Sequence, residues 1–260
     1  MIYGASVVYS SFLWRQGFRR DNHINYGILL AGFGFHTLAM MLRGFTLQRC
    51  PIHNLFEASM FIGWAMVIAL LVLGLLPRLR FLGAFASPWL FGLGVFALMP
   101  KLDEPGARLA LSEGWFSLHA SLIFLAYGAL GLGAVAGLMF LLQERDLKFH
   151  KFRAFFSLLP PIQRLEWLTS RLLLGGMGLL SAGLVIGFLW LKHEKGVFYQ
   201  SDPKIHWSIL VWLFYLAMLV LHARFAQRGR RFAWGAVGGF LFVLLTFWGF
   251  NLFSALHHPP

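Results

Sequence analysis

Four of the ten histidines lie within or at the rim of long apolar runs: His36, His119, His222 and His257. An ionisable side chain at the middle of a bilayer costs ~2.5–3.5 kcal/mol, so each needs a partner or a task. Neutral imidazole is both a polar group that a helical bundle can satisfy and a ligand for haem iron, which leaves two readings open: an internal hydrogen bond, or an axial ligand. The other six histidines fall in connections or the tail, where a solvated side chain accounts for them. A second polar feature is the stretch Lys192–Trp207, pinned between two apolar runs and carrying His193, His206, Phe198, Tyr199 and the turn-forming pair Asp202-Pro203. Asp202 or Ser208 is suited to cap a helix beginning near Trp207. The plain account of this stretch is a tight, capped loop; the chemical account is an aromatic shelf at the mouth of a bundle.

These side chains are positioned by apolar helices. The chain is 58% hydrophobic and only 12% charged, with a mean hydropathy of +0.69, the composition of an integral membrane protein. Apolar runs lie at roughly 25–44, 54–76, 81–99, 115–142, 172–191, 207–223 and 232–256, most near the ~20 residues that a hydrocarbon core requires. Met1–Trp14 adds a short eighth. The expected fold is all-α, a polytopic transmembrane bundle of about eight helices forming one domain over residues 1–260. The connection 144–171 is the longest, and Phe152–Leu159 with Trp167 gives it an amphipathic character suited to the inner membrane surface.

The net charge of +12 is not a nucleic-acid signal, because the Lys and Arg residues sit between apolar runs. They serve orientation instead. Alternate connections hold fifteen basic residues on one side and seven on the other, and positive charge stays on the cytoplasmic side. Both termini and the 193–206 loop are therefore expected outside. Cys50 is the lone cysteine, which excludes an intrachain disulfide, a paired-thiol redox site and a cysteine-rich metal site. On this topology His119 and His257 surface at the same outer face with the loop beside them, an arrangement suited to bis-histidine ligation of a haem.

Several motifs, in order, carry a resemblance. Pro51-Ile-His-Asn-Leu-Phe-Glu-Ala-Ser-Met-Phe-Ile-Gly-Trp64 resembles the "PxxNLYES" stretch of the CcsA family of cytochrome c assembly proteins. Trp115-Phe-Ser-Leu-His119 with Tyr127 and Leu141-Leu-Gln-Glu144 is similar to its "W-x-x-x-H … YLLxE" helix. Asp202-Pro-Lys-Ile-His-Trp207, Trp212-Leu-Phe-Tyr215, Leu221-His-Ala-Arg224, Gly229-Arg-Arg231 and Gly249-Phe-Asn251 before His257 follow the family's later motifs. The resemblance runs from about residue 35 to the end of the chain.

It implies a multi-pass protein of a bacterial-type inner (plasma) membrane that presents haem outside for attachment to apocytochrome c. His119 and His257 match the external ligands and His222 a transmembrane ligand, so the implied cofactor is a non-covalent, bis-histidine haem b. Phe198, Tyr199, Asp202 and Trp207 fall on the family's haem-presenting loop. The implied partner is a CcsB (ResB-like) membrane subunit, with which the chain would form a haem lyase, or cytochrome c synthase. One departure stands out: the family's "WGxxWxWD" reads Lys195-Gly-Val-Phe-Tyr-Gln-Ser-Asp202, with all three tryptophans replaced. That erosion supports an alternative, a non-catalytic HemX-like accessory on the same scaffold.

His36 is the other mid-helix histidine, ~12 Å below the outer end of its helix, against ~22 Å for His222. This offset leaves two outcomes for His36: a ligand paired with His222 through helix tilt, or a hydrogen bond inside the bundle.

The orientation is checked by a cysteine placed at position 200 in a Cys50→Ser background. Labelling by an impermeant maleimide from outside is expected; labelling from the cytoplasmic side alone would place the loop and its histidines in the wrong compartment.

Overall fold

The computed structural model describes residues 2–15, 23–47, 54–99, 103, 113–149, 160–224 and 229–252. Among them are eight α-helices, no strand and a short 3-10 turn at Pro77–Leu79. The helices are α1 (Ile2–Arg15), α2 (His23–Leu47), α3 (Leu55–Gly74), α4 (Phe81–Ala97), α5 (Glu113–Phe149), α6 (Ile162–Lys195), α7 (Pro203–Arg224) and α8 (Arg230–Leu252). Helices α2, α3, α5, α6 and α7 contain stretches long and apolar enough to cross a membrane, and α1 and α4 are shorter apolar helices. The chain is a polytopic helical bundle.

Local chemistry sets the helix ends. Asn54 caps α3 by accepting the Glu57 N–H at 2.8 Å. Glu57 is wholly buried and takes the Arg43 Nε–H of α2 at 2.9 Å, while the rest of that guanidinium meets the Asp103 carboxylate. The motif that begins at Pro51 thus joins α2, α3 and Asp103, beyond α4, at one end of the bundle; residues 51–53 lie outside the described residues. In α4, Pro88 has no N–H for the Ala84 carbonyl, and the Ser87 hydroxyl donates to that carbonyl instead at 3.2 Å. Helix α6 stops at Gly196, whose left-handed backbone (φ 71°) lets its N–H close on the Lys192 carbonyl. Helix α7 starts at Pro203, a turn before the expected Trp207, because Asp202 supplies the cap and proline suits the first helical position.

Helices α5 and α6 have 37 and 34 residues, ~55 and ~51 Å, against a hydrocarbon core of ~30 Å. They form an antiparallel hairpin longer than the bilayer is thick. Trp167, expected in a surface segment, lies instead in the continuous helix α6, half exposed, with the Arg171 guanidinium 5.6 Å from its ring centre. Phe152–Leu159 falls outside the described residues.

Helix α5 is the hub. It packs on α6 along most of its length and also on α3 and α8, while α2 and α4 pack on α3 and α1 packs on α2 and α4. Each approach uses a glycine. A Cβ on Gly128 would stand 2.6 Å from Ala65 Cβ and 2.9 Å from the α3 backbone. Gly131 and Gly137 receive Phe240 and Ala233 of α8, and Gly133 of α5 and Gly176 of α6 receive Leu173 and Leu130 from one another's helices. Lipid tails are as apolar as leucine, so helices in a bilayer associate by such close packing rather than by burial from water.

Gly128→Leu is expected to lower stability in detergent by about 1–3 kcal/mol or more, since its obstacle is backbone. Gly175→Ala, which meets nothing within 4 Å, is the control. Equal melting temperatures for the two variants would show that the α3–α5 contact does not set stability.

Candidate functional site at one end of the α5–α6 hairpin

His119 stands in the second turn of α5, and its Nδ1 lies 2.7 Å from the Gly183 carbonyl oxygen of α6. A carbonyl only accepts, so Nδ1 carries the proton and the neutral ring keeps its lone pair on Nε2. Nε2 has no hydrogen-bond partner among the described residues. One turn along α6, Gly187 makes room for the ring: a Cβ there would sit 2.7 Å from both Nδ1 and Cε1. Gly183 and Gly187 form a Gly-x-x-x-Gly pair, the spacing that lets helices approach closely. A histidine whose Nδ1–H is held by a carbonyl has the arrangement typical of a metal-ligating imidazole.

The ring borders a cavity of about 90 Å³, measured to the centres of water-sized spheres, between α5, α6 and α7. Its walls are aromatic. Phe116 and Trp190 pack at 5.5 Å between ring centres, and Tyr127 meets Trp207 edge to face at 6.4 Å. Lys204, in the first turn of α7, supplies a cation at the same wall.

The structure brings His119 and Trp207 to this one cavity, with Trp207 buried. Phe198 and Tyr199 do not border it. Both are about half exposed; the Lys192 ammonium lies 4.2 Å over the Phe198 ring, and the Tyr199 hydroxyl bonds His206 Nε2. Lys195, which replaces a family tryptophan, donates to Gln200 at 3.0 Å. Asp202 is buried as the α7 cap, its Oδ1 accepting the Lys204 N–H at 2.9 Å.

His257 lies outside the described residues. The helix leading to it, α8, packs antiparallel against α5, with Phe240 on Gly131 and Ala233 on Gly137. The same register carries the end of α8, at Leu252, to the level of His119.

His222 occupies the opposite end of the bundle. Its ring stacks on Phe232 of α8 at 4.0 Å and 20°, and its Nδ1 is 3.9 Å from Glu166 Oε1 of α6, which also accepts the Gly229 N–H at 3.1 Å. His36 lies apart from it, among α1, α2 and α3. Its Nδ1 pairs with the Tyr3 hydroxyl at 3.0 Å, the internal hydrogen bond that was one of the two expected outcomes. Its Nε2 is buried without a partner among the described residues. Among those residues no group of three or more His, Cys, Asp and Glu side chains gathers as a metal site, so a protein-only ion site is not found there.

Gly187, Trp190, Lys204 and Glu166 were missed from sequence. The Gly183–Gly187 spacing was the available signal for the first; the others depend on which helix faces meet.

A sequence profile of the Cytochrome C assembly protein family matches residues 52–258. The chain is 27% identical over 260 residues to "Cytochrome c biogenesis protein CcsA" of Guillardia theta, covering 90% of this chain and 85% of that protein. It is 29% identical over 245 residues to the CcsA of Synechococcus sp. (strain CC9605), covering 83% and 79% respectively. It is also 30% identical over 232 residues to "Protein NrfI" of Wolinella succinogenes, covering 87% of this chain but a quarter (25%) of that longer one. With a match across most of its length and helices built to cross a bilayer, the chain is a multi-pass membrane member of the cytochrome c assembly protein family, a protein of cytochrome c biogenesis.

Proposed function

We propose that the chain is the haem-handling subunit of a cytochrome c synthase, presenting haem at the outer face of a bacterial-type inner membrane for attachment to apocytochrome c. The observation that carries this reading is His119, a neutral imidazole with Nδ1 bonded to Gly183 and its Nε2 lone pair left for iron, set beside an aromatic cavity. When bound, haem supplies the iron for that nitrogen and the porphyrin edge that apocytochrome thiols join.

The residues present fit one axial half of such a site. Gly183 fixes the tautomer, Gly187 fixes the ring plane, and Phe116, Trp190 and Trp207 give flat apolar walls that exclude water. His257 is the proposed second external ligand. His222, oriented by Glu166 and Phe232, is the proposed inner ligand, with its axial partner supplied by another subunit, since His36 lies apart from it and bonds Tyr3. A CcsB/ResB-like membrane subunit is the proposed partner, as the resemblance to the family implies.

A HemX-like accessory role is the second reading. It is favoured by the exposed position of Phe198 and Tyr199, which stand off the cavity where the family has a tryptophan-rich loop.

The purified protein is expected to carry low-spin, bis-histidine haem, and His119→Ala to lose that spectrum. Gly187→Ala removes no ligand, yet it is expected to weaken haem retention about 10–100-fold by displacing the ring, the usual cost of disturbing a ligand's support. Gly178→Ala, on an open face of α6, serves as the control. A colourless preparation that takes up no added haem would support the accessory reading.

A further inference from the structure

Besides the His119 Nε2 lone pair and the Tyr127, Trp207 and Ser208 side chains, two side chains that can only donate, Trp190 and Lys204, line the His119 cavity. Trp190 lines it, only 4% exposed, and its indole N–H is buried with no acceptor among the described residues. Lys204 lines the same cavity from the first turn of α7. Other polar groups there are already engaged: the His119 Nδ1–H on Gly183, and the Ser208 hydroxyl on the Lys204 carbonyl at 2.8 Å. Indole N–H and ammonium are donors that cannot accept, so what complements them is an acceptor, and beside a cation an anionic one. A buried N–H left unpaired is costly enough to require an explanation, and a ligand atom is one.

We infer that Lys204 and Trp190 anchor a carboxylate of the ligand held by His119, so that the cavity recognises an amphipathic acid rather than an apolar ring alone. Given the function proposed above, on which the choice of ligand rests, that carboxylate is a porphyrin propionate. Asp202, in the same turn, already offers the lysine a counter-charge. The ligand's acid group adds a second negative charge beside the lysine, and Trp190 is the donor that has no other partner among the described residues. Recognition therefore has two separable parts: a metal-seeking imidazole and an acid-seeking pair on α6 and α7.

Two porphyrins without iron separate these parts: protoporphyrin IX and its dimethyl ester, titrated by fluorescence into the full-length protein in nanodiscs, with ferric haem run in parallel. The wild type is expected to hold the free acid at least about tenfold more tightly than the ester, the value of a hydrogen bond to a charged group. Lys204→Met is expected to abolish that preference and Trp190→Phe to reduce it, and the helical circular dichroism and melting temperature of each variant report that it folds. His119→Ala is expected to remove the imidazole-ligated haem spectrum while sparing the acid preference.

Equal binding of acid and ester by the wild type would overturn the acid anchor, and so would a Lys204→Met variant that weakens both alike. An acid preference dependent on Lys204, with a haem spectrum indifferent to His119→Ala, would uphold the anchor and overturn the haem-ligand reading. Failure of every porphyrin to bind would overturn both.

Discussion

Everything in this bundle depends on how closely α5 can be approached. A helix inside a membrane gains little by hiding leucines from lipid, so its neighbours are held by contact distance. Glycines at 128, 131, 133 and 137 open faces of α5 toward α3, α8, α6 and α8 in turn. The separations they allow fix the relative heights of the surrounding helices. Those heights decide which side chains meet at the His119 end: Gly183 arrives opposite His119, and Trp207 arrives beside Tyr127.

Polar groups within the bundle follow the same economy. Glu57 is buried but meets Arg43, and Arg43 in turn meets Asp103, which also accepts from Asn54 at 3.0 Å. Ser6 donates to Asn25 at 2.7 Å, and Ser10 pairs with Ser87 at 3.0 Å, so α1 is tied to α2 and α4 by hydroxyls in an otherwise apolar contact. An unpaired polar group is expensive where water cannot reach it, and paired ones therefore act as registration marks between helices. Among the described residues five buried polar atoms are left over, Asn25 Nδ2, His36 Nε2, Gln143 Oε1, Trp190 Nε1 and the Tyr215 hydroxyl, and of these Trp190 alone belongs to a residue that lines the His119 cavity.

The helices were legible because length and hydropathy determine them together: a bilayer admits few other ways to satisfy a backbone. The prominence of His119 was legible too, since a histidine at an apolar helix rim has few uses. Its tautomer was not, because the Gly183 carbonyl comes from a residue 64 positions away. Pro203 moved the start of α7 a turn ahead of the hydrophobic pattern, since capping geometry rather than hydropathy sets that boundary. The aromatic surface of the cavity came from Phe116, Trp190 and Trp207 on helices, whereas the loop pair Phe198 and Tyr199 had looked the better shelf. Aromatic content is readable along a chain, but which ring faces which cavity is a property of helix rotation.

The bond from His119 to Gly183 couples mechanics to coordination chemistry. It spans 2.7 Å between two antiparallel helices, and one residue of sliding along a helix is ~1.5 Å. A slip of that size takes the carbonyl out of reach of Nδ1, frees the proton to sit on either nitrogen, and makes the imidazole a poorer electron donor. The basicity of Nε2 is thus a gauge of the axial position of α6. A push on the far tip of the long hairpin would be read, some tens of ångströms away, as a change in basicity.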